Sequence, residues 1–136
     1  MLYLLFRSLS VAAAFFLSGI FIDLDHILEY AHAFGVKGFS ARKFFRAAHN
    51  HEYRQYFLLV HSWEIAFLLW AAAVLLLPYP WAVGFALGFT LHILADQLYN
   101  PCAPLTYFLW FRIRHRFDGD ILFPPEKRAK KSRRRF

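Results

Sequence analysis

Three long apolar blocks alternate with polar stretches along this chain. The first runs from Leu2 to Ile22 and is interrupted only by Arg7, Ser8, Ser10, Ser18 and Gly19. The second runs from Tyr56 to Leu77 and the third from Trp81 to Tyr99. Each comes close to the ~20 residues a helix needs to cross a bilayer. Pro78-Tyr79-Pro80 closes the second block and Asn100-Pro101 the third, because proline cannot continue a helix and restricts the residue before it. The first block sits where a secretory leader would. However, no Lys or Arg precedes Arg7, the apolar run is too long, and no small-x-small site leads into a polar mature start, so it reads as a retained span. Leu105 to Phe111 is too short to cross and reads as interfacial or re-entrant, with Tyr107 and Trp110 suited to the headgroup layer.

Between the first two blocks lies a mixed segment, Asp23 to Gln55. Asp23 to Phe34 is expected to continue the first helix outward until Gly35 and Gly38 break it. Ser40 is placed to cap a basic amphipathic turn carrying Arg42, Lys43, Phe44, Phe45 and Arg46, which would lie along the interface. The pattern therefore predicts an all-α fold: an integral membrane bundle of three transmembrane helices plus short interfacial helices, in one domain over residues 1–125. Residues 126–136 are expected to form a disordered basic tail, drawn to anionic lipid headgroups by the run from Lys127 to Arg135.

Charge fixes the expected orientation. The chain has 136 residues, of which 59% are hydrophobic, yet its net charge is +7, so charge must be segregated from the apolar blocks. Ten of the 16 Lys and Arg lie from Arg112 onward. With three spans, 15 of the 16 share a side with the Asp23–Gln55 segment and the tail, leaving Arg7 alone on the other. The positive-inside rule then puts the N-terminus outside and the C-terminus in the cytoplasm, in a multi-pass protein of the inner cell membrane. The apolar content argues against nucleic acid as a main partner. Cys102 is the single cysteine, which excludes an internal disulfide framework and a cysteine-rich zinc site and reads as a small buried apolar residue.

On this topology the ionisable residues fall together. Asp23, Asp25 and His26 sit where the first span leaves the membrane on the cytoplasmic side. His61 and Glu64 lie about 5 and 8 residues into the second span, ~8–12 Å deep at 1.5 Å per residue. Asp96 and His92 lie roughly 3 and 7 residues from the cytoplasmic end of the third. His92 and Asp96 are spaced i, i+4, while Asp23 and His26, and His61 and Glu64, are spaced i, i+3, so each pair projects from one helix face. A mid-span charge costs ~2.5–3.5 kcal/mol on insertion scales, and a shared cation would offset that cost. Imidazole with carboxylate oxygen suits zinc first and manganese or iron next, rather than calcium or copper(I). Glu64 is a candidate ligand, general base or orienting group, with Asp25 the second candidate for the base. His49 and His51 read as solvated unless a loop carries one into the site, and His32 and His115 as surface residues. Arg42, Lys43, Arg46, Arg112 and Arg114 read either as headgroup contacts or as orientation charges.

Phe21-Ile22-Asp23-Leu24-Asp25-His26 resembles the "PDxDH" motif of the YdjM-like membrane-bound metal-dependent hydrolases. His61-Ser62 is similar to the end of that family's "HRGxTHS" motif, and Gly88 to Asp96 followed by Asn100-Pro101 is similar to its "GxxxHxLxDxxTP" motif. The order and spacing match over most of the chain up to about Trp110. The chain departs from the pattern in having no His before His26, Ile22 in place of proline, and Tyr56-Phe57-Leu58 where "HRG" would stand. The resemblance implies an α-helical membrane protein related to the phospholipase C and P1 nuclease group, with Asp23, Asp25, His26, His61, His92 and Asp96 as metal ligands. The expected function is metal-dependent hydrolysis of a phosphoester in a lipid or lipid-linked substrate at the cytoplasmic face. The alternatives are a non-catalytic metal-binding membrane protein and an ion or proton transport component.

Overall fold

A computed structural model describes residues 8–50, 53–76 and 79–133. Helices are the only extended regular elements among them, and a single isolated antiparallel bridge joins Gln55 to Asp118. Helix α1 (Leu9–Ile22) begins at Ser8, whose hydroxyl accepts from the Val11 N–H and so satisfies one of the amides a helix start leaves unpaired. One 3-10 turn (Asp23–Asp25) carries the rod into α2 (His26–Phe34). It stops where Gly35 and Gly38 take φ values of 73° and 74°, a left-handed backbone that glycine adopts at no steric cost. Ser40 Oγ accepts from the Lys43 N–H and starts the amphipathic α3 (Ala41–Asn50), as its pattern predicts.

Helix α4 (Trp63–Ala71) runs on as a π-turn, Ala72–Leu76. Helix α5 (Pro80–Tyr99) has proline in its first turn, where the missing N–H breaks no bond. Three short helices follow: α6 (Leu109–Arg114), α7 (Gly119–Leu122) and α8 (Pro125–Arg133). The rod Leu9–Phe34 and the helix α5 are long and apolar enough to cross a membrane. Large apolar side chains such as Leu9, Phe16, Ile20, Phe21 and Leu98 are exposed along them rather than buried.

The expected second span is corrected. Helix begins at Trp63, not Tyr56, because Ser62 caps it by accepting from the Ile65 N–H at 3.2 Å. The apolar helix Trp63–Leu75 is then about 20 Å long, short of the ~30 Å hydrocarbon layer. Leu77, Pro78 and the stretch Met1–Arg7 lie outside the described residues, as do His51 and Glu52. The tail is corrected as well. Residues 125–133 form α8, held by Lys127 Nζ donating to the Cys102 carbonyl (2.7 Å) and by an Arg128–Asp120 ion pair (2.5 Å). Cys102 is buried, as its residue type suggests.

Helices α1 and α5 pack in backbone contact. A Cβ added at Gly84 would lie 2.5 Å from the Val11 carbonyl oxygen, and one at Gly88 would collide with the Phe15 carbonyl and the Ser18 hydroxyl. Small residues four apart let two rods approach this closely and pack by van der Waals contact. A second packed region lies at one end of this pair, where Ile22, Tyr30, Tyr56, Ile93 and Phe123 are buried together.

Candidate metal centre

Four donor atoms from three parts of the chain converge where α1 ends. Asp23 opens the 3-10 turn, His61 immediately precedes the Ser62 cap of α4, and His92 and Asp96 sit one turn apart near the end of α5. Asp23 Oδ1 lies 3.3 Å from His92 Nε2 and 3.7 Å from His61 Nε2. Asp96 Oδ2 lies 3.6 Å from His92 Nε2 and 3.7 Å from His61 Nε2. Asp23 and Asp96 thus each lie within ion-pair distance of both imidazoles, and His61, His92 and Asp96 offer ligand atoms within 4.8 Å of one another.

These spacings fit a cation. A tetrahedral ion with ligand bonds of about 2.0–2.1 Å has ligand–ligand edges of about 3.4 Å. His61 Nε2 is buried and faces Asp23 and Asp96 at 3.7 Å each, beyond hydrogen-bond length among the described residues. A buried polar atom left unmatched costs about 1–3 kcal/mol, so its position calls for a partner. Asp23, His26 and His61 form a second triple whose ligand atoms lie within 4.8 Å of one another, and it shares His61 with the triple of His61, His92 and Asp96. His26 Nδ1 lies 3.6 Å from the buried Glu29 carboxylate.

His61 does not occupy a helix, so its expected i, i+3 pairing with Glu64 is not realised. Instead three buried charged side chains hold the loop that presents it. Asp25 Oδ2 accepts from the Val60 N–H (2.7 Å) and the His61 N–H (3.1 Å), and lies 3.4 Å from His61 Nδ1. Glu29 Oε1 accepts from the Leu58 N–H at 2.8 Å. Arg112, fully buried, donates to the carbonyls of Leu58 (2.6 Å), Thr106 (2.7 Å) and His61 (3.0 Å). Burial pushes the Arg112 guanidinium down to about 10, opposed by the charges of Glu64 and Asp25, so it stays protonated at neutral pH. The irregular backbone of residues 58–61 can be buried because these side chains satisfy its polar groups.

Three expectations change accordingly. Asp25 sits on the Nδ1 edge of His61, where it can orient the ring, while Asp23 meets the Nε2 edge. Glu64 is turned toward α6. Its two oxygens accept from the Leu109 N–H (3.0 Å) and the Trp110 N–H (3.3 Å), so it caps the start of α6, and it lines a separate apolar groove with Phe67 and Phe108. Arg112 is neither a headgroup contact nor an orientation charge.

A pocket of about 250 Å³ opens beside the cluster. Asp23, His26, His61 and Asp96 form one wall, and Phe44, Leu58 and Phe123 form part of the other. His49, on α3, also lines it and is exposed, in keeping with its solvated reading. Glu29 escaped the sequence reading. Its signal was spacing: it lies i+4 from Asp25 and i+3 from His26, so all three share a helix face. Comparison with family models, curated proteins and solved structures finds no match to this chain.

Proposed function

We propose that this chain is a membrane-bound, metal-dependent hydrolase of the YdjM-like kind, cleaving a phosphoester of a lipid or lipid-linked substrate at the cytoplasmic face. The observation that carries the reading is that Asp23 and Asp96 each lie 3.3–3.7 Å from the Nε2 atoms of His61 and His92, with His61 buried. The mixed nitrogen and oxygen donor set favours zinc, with manganese second. A divalent cation bound there supplies Lewis acidity toward a phosphoryl oxygen and makes water a stronger acid.

The chain's own groups do the rest. Asp25 holds the Nδ1 edge of His61, which turns Nε2 toward Asp23 and Asp96, and Glu29 lies beside His26 as a counter-charge. His26, on the pocket wall and backed by Glu29, takes over the role of proton acceptor that the sequence pattern gave to Glu64 and Asp25. Phe44, Leu58 and Phe123 give the pocket an apolar side that suits the hydrocarbon part of a lipid and thins the water around the reacting groups. The exposed apolar faces of Leu9–Phe34 and α5 support residence in the bilayer, with α4 completing a three-helix bundle. The distribution of Lys and Arg supports a cytoplasmic C-terminus.

Elemental analysis of detergent-purified protein is the test. Close to one zinc or manganese per chain is expected, lost in His92→Ala and Asp96→Ala while helical circular dichroism is kept. A phosphomonoester and phosphodiester screen on the same samples then asks for turnover that depends on the bound ion. Metal without turnover on either substrate class would reduce the reading to a metal-binding membrane protein. Absence of metal in the parent chain would end it.

A further inference from the structure

A second recess, of about 460 Å³, lies where the 54–55 segment meets the connection between α6 and α7. None of its lining residues belongs to the metal cluster. Arg54, Arg114 and Arg116 surround it together with Gln55, His115 and Asp118. We propose that this recess binds one phosphate group, presented by the headgroup of an anionic lipid.

The first argument is construction. Arg54 stands 60 and 62 residues before the other two arginines, and paired backbone brings them together. The Gln55–Asp118 bridge, Tyr56 N–H to the Phe117 carbonyl (3.0 Å) and Gly119 N–H to the Arg54 carbonyl (2.9 Å) stitch the two segments. Gly119 is required for this approach, because a Cβ there would lie 2.7 Å from the Tyr53 carbonyl oxygen. The corner itself is strained: Arg116 and Phe117 are consecutive non-glycine residues at φ 53° and 59°. Such conformations cost on the order of 1–3 kcal/mol each and persist where surrounding structure over-determines them, which is characteristic of binding sites. Here the Arg116 carbonyl is held by Gln55 Nε2 (3.4 Å) and the Phe117 N–H by the Arg112 carbonyl (2.9 Å).

The second argument is charge. Among the described residues no ion pair joins Arg54, Arg114 or Arg116 to a carboxylate. Asp118, the acid on the rim, directs Oδ1 to the N–H groups of Asp120 (2.8 Å) and Ile121 (3.3 Å), so it caps α7. Three like charges drawn around one recess repel, and an anion taking bidentate guanidinium hydrogen bonds reverses the sign of that interaction. Phosphate matches this fork geometry.

The third argument identifies the source. Arg114 shares α6 with Trp110 and Ile113, which are 51% and 57% exposed. Trp110 and Arg114 are one turn apart on the same face, so an indole and a guanidinium follow each other along the helix. That order suits a molecule with a phosphate at one end and hydrocarbon at the other, and indole rings favour the headgroup level. The lipid source rests on the membrane reading above; the phosphate site does not rest on the metal centre.

The test is a native mass spectrometry titration of the full chain in a neutral maltoside detergent. Three probes are added separately: dioctanoyl phosphatidylglycerol, dioctanoyl phosphatidylcholine and inorganic phosphate. One phosphatidylglycerol is expected to bind per chain, about tenfold more tightly than phosphatidylcholine, the ratio for roughly one charge-assisted contact. The double variant R114Q/R116Q should lose about tenfold or more, while R42Q/R46Q on α3 stays within about twofold, and metal content stays at the parent level in both. Should R114Q/R116Q fail to fold, Arg54→Gln alone carries the same expectation in the same direction. Equal binding of the two lipids, or equal losses in the two double variants, would overturn the site in favour of diffuse charge. Inorganic phosphate competing at the same concentration as the lipid would keep the phosphate site and overturn its lipid source.

Discussion

The carboxylate of Asp25 grips His61 at two points, its backbone N–H at 3.1 Å and the Nδ1 edge of its ring at 3.4 Å. Asp23, two residues earlier, meets the Nε2 edge of the same ring at 3.7 Å. The D-x-D spacing therefore places one acid on each side of a single imidazole. Asp25→Asn is expected to keep the fold and weaken metal affinity about 10–100-fold, the usual cost of losing the group that orients a ligand histidine. Asp25→Ala should in addition lower stability by roughly 2 kcal/mol, because the Val60 and His61 amides lose their acceptor. Metal titration and chemical unfolding of the two variants separate these effects.

Acid should empty the site. A cation and protons compete for His61 Nε2 and His92 Nε2, and only neutral imidazoles ligate. Bound metal is thus expected to be retained at pH 7.5 and largely released by about pH 5, with recovery on return to neutral. Dialysis followed by elemental analysis reads this directly. Retention through pH 5 would show that the imidazoles do not hold the ion.

Arg112 supports three carbonyls from inside the protein. Arg112→Met keeps the bulk and removes every donor, leaving those acceptors buried and unpaired. A loss of roughly 3 kcal/mol or more is expected, together with loss of metal as the 58–61 loop relaxes. Arg112→Lys should recover only part of this, since one ammonium cannot reproduce a planar fork aimed at three oxygens. Thermal unfolding in detergent measures the order parent, Lys, Met.

Glu64→Gln distinguishes a cap from a base. As a cap, the glutamine should retain most turnover and metal, with a stability change of about 1 kcal/mol or less. A fall in turnover of about a hundredfold or more with metal unchanged would restore Glu64 as the general base.

Much of the cluster was legible in sequence because helices make spacing meaningful. His92 and Asp96 lie on one helix through both readings, and the two apolar blocks around them end where glycine and proline end them. His61 shows where this legibility stops. Its block is apolar enough to be helical from Tyr56 onward, yet the helix waits for Ser62 because Asp25, Glu29 and Arg112 already occupy the backbone groups of residues 58–61. Those partners are 29 to 54 positions away in the chain, and no local periodicity encodes them. The same holds for Arg112 and Glu64. Their charge is visible in the sequence, but only the fold shows that both are spent on backbone.

Gly88 carries no chemistry, yet it stands one turn before His92 on the rod that presses against α1. The spacing of the Asp23–His92 cluster is therefore gauged by two hydrogen atoms where other residues keep a side chain. A methyl group there would work as a wedge, and prising the rods apart by about 1 Å would stretch the Asp23–His92 edge from 3.3 Å beyond what one ion can bridge. Calibration of the site thus belongs to a position that would look silent in any survey of polar residues.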